Sequence, residues 1–162
     1  MTTEEALKPS DFVHLHNHTH YSLLDGLKKI DELIDFVKES GMEAVAVTDH
    51  GTMSGLVELY KTCDAAGIKA IMGLEAYVAA RNMEDRDPAY DKERFHITLL
   101  AMNNIGFENL CRLITEAEMN GKYYKPRIDH RVMEKYNEGL FVCRAVLVVK
   151  FRWQFAMTTK SV

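Results

Sequence analysis

The chain has 162 residues, about one domain's length, and enough to bury a real core. Its hydrophobic content of 47% is that of an ordinary globular protein. A net charge of -4 argues against a nucleic-acid coat protein, although a basic cleft on an acidic protein stays open.

The three cysteines, Cys63, Cys111 and Cys143, are odd in number and form no C-x-x-C pair. That excludes a structural zinc finger or a redox motif and leaves reduced thiols in a cytoplasmic protein as the expectation. Met1 to Ser10 lacks the charged-then-apolar pattern of a signal peptide. No run of about 18 apolar residues is present, so no membrane span is expected.

Residues 1–11 read as a lead-in. A first strand is predicted from about Phe12 to His18, within the run His14, His16, His18 and His20. Alternate residues of a strand share a face, so the imidazoles would line up if the strand held throughout. Tyr21-Ser-Leu-Leu-Asp-Gly26 reads as a turn. Ile30, Leu33, Ile34 and Val37 show helical spacing that ends before Gly41.

Ala44–Thr48 is a short apolar run suited to a strand buried on both faces, and it leads into Asp49-His50-Gly51. A helix over about Ser54–Ala66 stops at Gly67. Ala70–Val78 is a third strand and carries Glu75. Residues 80–93 are highly charged and read as an exposed loop. Phe95–Ala101 is a fourth strand, and Asn104–Met119 a third long helix. After the Tyr123-Tyr124-Lys125-Pro126-Arg127 loop comes a short helix capped by Asp129, then a strand from Leu140. The alternation implies α/β architecture with a parallel sheet or a (β/α) barrel.

Functional groups of parallel α/β folds collect at the carboxyl ends of strands. The strand ends and following turns offer His16, His18, Asp25, His50 and Glu75. His96 lies near the start of its strand and fits less well. Asp49 reads as a turn or cap residue, His130 has no strand context, and His20 is expected to face solvent. Donors of this kind from successive units can hold two or three divalent metals, which activate water and clamp phosphoryl oxygens. Phosphoester hydrolysis is the chemistry such a cluster suits.

Four stretches then carry a resemblance. HLHNHTHYSLLDG, AVAVTDHGTMSGLVELYKTCDAAGIKAIMGLEAYVA, FHITLLAMNNIGFENLCRLITEA and GKYYKPRID resemble the N-terminal PHP (polymerase and histidinol phosphatase) domains of bacterial DNA polymerase III α subunits. The resemblance covers about residues 11–143. The YSLLDG turn, the NxxGFxNLCRL helix and the YYKPRID loop are not expected in free-standing PHP phosphatases.

The resemblance implies a distorted, TIM-like (β/α)7 barrel of parallel strands, incomplete in this chain. It implies His16, His18, Asp25, His50, Glu75 and His96 as metal-ligating and catalytic residues. It also implies zinc, manganese or iron as cofactors, and a 3′→5′ exonuclease or phosphoesterase role within a replicative polymerase. The implied partners are a DNA 3′ end and other polymerase holoenzyme subunits, including the proofreading exonuclease. Two alternatives stay open: a non-catalytic platform that docks that exonuclease, and a free-standing phosphatase of the histidinol-phosphate type. His20 stands where the family pattern leads one to expect an acidic residue.

The resemblance ends after Cys143, so residues 12–143 are expected to be the PHP part and 144–162 an aberrant tail. The family continues with Ser-Gly-Cys-Leu-Gly-Gly-Glu, whose Cys is a further ligand, and later supplies an Asp and a His. Here Arg144–Val162 contains four basic residues and no acidic one, while the preceding residues hold all 24 acids. A single-base frameshift would account for the change: one choice of codons for Arg144–Phe151, with one T restored in front, reads as the family sequence. On this reading the chain stops before any polymerase catalytic region, and its own metal site is weak or inactive.

Overall fold

The computed structural model describes residues 7–23 and 25–143. The tail over 144–162, its frameshift reading and its expected edge pairing lie outside the described residues. After a 3-10 turn at Pro9–Asp11, the elements are α1 (Ile30–Glu39), β1 (Ala44–Val47), α2 (Leu56–Ala66), β2 (Lys69–Ala79) and β3 (Arg94–Ala101). They continue with α3 (Asn104–Met119), β4 (Arg127–Ile128), α4 (His130–Lys135) and β5 (Leu140–Cys143). Among the described residues, no helix is long and apolar enough to cross a membrane.

The strands run β1-β2-β3-β5, and β4 pairs with β2. This is an α/β sheet, but the parallel expectation needs one correction. β1 and β4 pair with β2 in parallel, whereas β3 is antiparallel to both β2 and β5. Among the described strands, only β3 therefore runs against the rest. A parallel return needs a crossover, commonly a helix, and the link over residues 80–93 contains none. The chain simply doubles back.

The predicted first strand is also corrected. The segment touches β1 through one parallel bridge, His14 to Val45. Ala46 N–H donates to the His14 carbonyl and Thr48 N–H to that of Asn17, both at 2.9 Å. Three steps along the histidine run thus span two along β1. The extra residue interrupts the two-residue alternation, as in a bulge. The Asn17 side-chain amide occupies the irregularity, donating to the carbonyls of His14 and Ala46 at 3.2 and 2.9 Å.

Two apolar clusters hold the sheet. Ile30, Leu33, Ile34 and Val37 of α1 pack with Val45 and Val47 of β1 and Leu56, Leu59 and Cys63 of α2. Leu74, Ala76 and Val78 of β2 pack with Ile97 and Leu99 of β3 and with Leu110, Leu113 and Ala117 of α3. Each fully buried leucine contributes roughly 1.5–3 kcal/mol by removal from water. Alternation then gives β2 two jobs. Residues 74, 76 and 78 face the helical core, so Glu75 and Tyr77 face the other side.

The link over 80–93 is less exposed than its composition suggests. Met83 and Asp91 are buried within it. Arg81 grips Asp91 through two bonds of 2.9 and 2.6 Å. Arg127, fully buried, donates to the carbonyls of Gly121, Asp91, Met83 and Asp85 at 3.1, 3.0, 2.8 and 2.8 Å. Only a guanidinium offers enough donors in a fixed fork for this clamp. Asp129 caps α4 by accepting from Val132 N–H, and it also accepts from Met83 N–H. Burial raises the Asp129 pKa, but bonds from Arg131, Val132 and Met83 outweigh it and hold the carboxyl below its ordinary 3.8.

Arg127→Lys is expected to destabilise the chain by on the order of 3 kcal/mol in urea melts, because buried carbonyls lose their donors. Asp129→Ala is expected to cost about 1–2 kcal/mol at neutral pH. The Asp129 contribution is complete above the ordinary carboxylate value and lost as pH falls through the depressed one. The gap between Asp129→Ala and wild type should therefore narrow in acid, and urea midpoints at neutral pH and below pH ~3 measure it.

Candidate metal centre

Glu75 is the centre of the site, 1% exposed in the middle of β2. Its Oε2 lies 2.5 Å from His16 Nε2 and 3.1 Å from His18 Nε2. His96 Nδ1 lies 3.0 Å from Oε1, and His50 Nδ1 lies 3.7 Å from Oε2. His50 also meets Asp25 through Nε2 and Oδ2 at 2.8 Å. The His18 and His50 rings stack at 4.3 Å, and His96 lies 4.8 Å from His50.

The fold explains how these groups meet. His50 follows β1 and bridges in parallel to Glu75, with Gly51 N–H donating to the Glu75 carbonyl at 2.9 Å. In the antiparallel ladder, Thr98 lies opposite Glu75 and His96 opposite Tyr77. Directly opposed residues share a face, so His96 joins Glu75 diagonally. The poor fit of His96 at a strand start disappears, because β3 starts beside the carboxyl end of β2.

Asp49 is more than a turn residue. It is buried, and it accepts from the Thr19 N–H at 2.6 Å and the Thr19 hydroxyl at 2.8 Å. That pair ties the backbone after His18 to the end of β1. Ser22 Oγ accepts from the His50 N–H at 3.1 Å, joining the turn that carries Asp25 to the same strand end. Gly26 allows the turn to close, because a Cβ there would lie 1.8 Å from the Thr19 carbonyl oxygen. The sequence signal for Asp49 was its place between a buried strand and His50. Ser22 had no signal beyond the turn.

His14 packs edge-on against Phe12 at 4.8 Å and His20 tilts over Tyr21 at 4.3 Å, so neither joins the group around Glu75. All six predicted residues do come together. His16, His18 and Glu75; His18, Asp25 and His50; and His50, Glu75 and His96 each bring ligand atoms within 4.8 Å of one another.

The electrostatics suit a cation. Burial alone would raise the Glu75 pKa, but bonds with His18, His96 and His16 overcome it and hold the carboxyl far below the usual carboxylate range. The bond to Glu75 raises the His18 pKa above its ordinary 6.5 against the pull of burial. Burial is the main reason that the His50 pKa is lowered. Nδ1 of both His18 and His50 is buried without a hydrogen-bond partner among the described residues. A buried carboxylate with surrounding imidazole nitrogens, two of them unsatisfied, matches the oxygen and nitrogen donor set of a divalent transition metal.

The histidine-rich site on an α/β sheet defines a class, and comparison with known proteins agrees: a model of the PHP domain matches residues 14–151, and the chain belongs to that family. Over 144 residues it is 44% identical to the DNA polymerase III subunit alpha of Campylobacter jejuni, covering 89% of this chain. Over 143 residues it is 48% identical to that subunit of Aquifex aeolicus, covering 85%. The chain spans 12% of the length of each of these relatives. Among solved structures, an amidohydrolase from Chromobacterium violaceum aligns with a TM-score of 0.48 at 24% identity, over 65% of this chain and 32% of that one.

Thr19→Val keeps the size of the side chain but leaves a buried Asp49 oxygen without its hydroxyl donor. It is expected to lower stability by about 1–3 kcal/mol, measured by urea unfolding in the presence of a chelator.

Proposed function

We propose that this chain is the PHP part of a bacterial replicative polymerase α subunit and that its cluster is a metal-dependent phosphoesterase site. The substrate is the phosphodiester at a DNA 3′ end, cleaved in the 3′→5′ direction. One observation carries this reading: a buried carboxylate, Glu75, meets imidazoles from three separate parts of the chain. The buried Nδ1 atoms of His18 and His50, without a hydrogen-bond partner among the described residues, make a purely structural role the poorer account. The likeness to polymerase subunits supports the DNA context and, with it, a cytoplasmic setting.

In this reading His16, His18, His50, Glu75, His96 and Asp25 would hold divalent ions, two or three in an intact domain, with zinc, manganese and iron as candidates. When bound, such ions supply Lewis-acid activation of water and neutralise charge on phosphoryl oxygens. The protein's own part is orientation. Asp25 faces the outer nitrogen of His50 and steers its inner nitrogen towards Glu75. Asp49 and Thr19 set the position of His18 through the backbone. Residues 12–143 form the functional unit, and other polymerase subunits, including the proofreading exonuclease, are its partners.

Calorimetric titration with manganese or zinc is expected to show binding to the wild-type chain. His16→Ala is expected to lose at least tenfold in affinity, and Glu75→Gln more. Release of nucleotides from the 3′ end of single-stranded DNA is expected to be weak at most in this chain, to require the metal, and to be absent in Glu75→Gln. Unchanged metal uptake by Glu75→Gln would remove this reading and favour a structural platform.

A further inference from the structure

We propose that Lys125 and Arg94 form a two-cation clamp for a backbone phosphate of a single-stranded nucleic-acid end, built on the ring of Tyr77 at the edge of the histidine cluster. The clamp deepens the phosphodiester reading above and rests on it for the identity of the strand. Tyr77 is 6% exposed. Its ring lies 4.9 Å from that of His96 and 5.8 Å from that of His50, in near-parallel orientation to the latter. It is one ring removed from the groups around Glu75.

Two cations converge on this ring. Arg94 Cζ lies 5.5 Å from its centroid and Lys125 Nζ lies 5.7 Å from it. They come from different parts of the chain, one from the start of β3 and one from the loop before β4. Both residues are exposed, and neither has a carboxylate partner among the described residues. Arg81, Arg112, Lys122 and Arg131 do have such partners. Among the described residues, the one side-chain hydrogen bond of Arg94, to the Lys92 carbonyl at 3.3 Å, leaves most of its guanidinium free.

The mounting is rigid. Gly51, at φ +61, follows His50, and a Cβ there would lie 2.9 Å from the Tyr77 ring and 3.0 Å from Pro126. Tyr77 and Pro126 therefore close over the strand end, and Pro126 is the residue after Lys125. An arginine fork and a lysine point charge on one platform suit the oxygens of a phosphodiester. Other exposed lysines lack a carboxylate partner among the described residues too, so what distinguishes Lys125 and Arg94 is their shared ring beside a cluster of phosphoesterase type, a position from which two cations can attract a polyanion.

The test is fluorescence anisotropy of a 5′-fluorescein-labelled oligothymidylate with the full chain in a chelator, over a series of salt concentrations. Lys125→Gln and Arg94→Gln are each expected to weaken binding about fivefold or more and to flatten the salt slope by about 0.7. Lys125→Arg should retain binding, and Lys61→Gln on α2 should bind as wild type does. Equal thermal melts exclude misfolding as the cause.

Wild-type affinity and slope in both glutamine variants would overturn the clamp, as would a wild-type chain that binds no oligothymidylate at low salt. Competition by inorganic phosphate as effective as competition by unlabelled oligothymidylate would overturn the strand-end assignment in favour of a phosphomonoester. Manganese titration of the same variants separates the two readings. A chain that uses both cations for the strand but takes up no manganese keeps the clamp and removes the metal site.

Discussion

A carboxylate buried in the middle of a sheet must be compensated, and for Glu75 the compensation comes from imidazoles. That requirement organises the surrounding chain. The irregular histidine segment leans on β1 so that His16 and His18 arrive together. The end of β1 carries His50 alongside Glu75, and the reversal of β3 brings His96. Each approach is secured by a polar contact beneath it: Asn17 with Ala46, Asp49 with Thr19, and Ser22 with the His50 backbone. The opposite face of β2 contributes Leu74, Ala76 and Val78 to the helical core, so the packing that stabilises the sheet also sets the position of Glu75.

Arg127 does comparable work away from the cluster. Its guanidinium binds carbonyls of Met83, Asp85 and Asp91, which belong to the link between β2 and β3. That link reverses the chain without a helix, so its shape decides where β3 begins and hence where His96 stands. Arg127 and Asp129 both belong to the loop-and-cap segment after α3. A stretch that looks like a connector thus steadies the far side of the site.

Much of this was legible in residue order. The helices, β1, β2 and β3 follow the predicted spans to within a residue or two at most boundaries, because each has a clear apolar period and a glycine or polar cap at its end. The six candidate ligands were legible as residue types at strand ends and by resemblance. The first strand was misread because alternation of histidines looks like a strand pattern even where one extra residue breaks the ladder. The charged link is exposed over most of its length as read, but composition does not reveal that Met83 and Asp91 would be buried within it beside Arg127, far along the chain. Tyr77 and Arg94 carried no signal, since an aromatic residue in a strand is an ordinary core residue, and Lys125 carried only that of the YYKPRID loop.

By itself the sequence determined local conformation and the inventory of chemistry: short-range periodicity dictates helices and strands, and histidines with acids limit the reactions available. The tertiary structure decided which of those residues meet. Strand direction, a bulge and a buried arginine are set by hydrogen bonds between parts of the chain distant in sequence, and no local pattern encodes them. The reversed β3 is the clearest case. It placed a histidine from the beginning of one strand beside a glutamate in the middle of another, where spacing along the chain had pointed elsewhere.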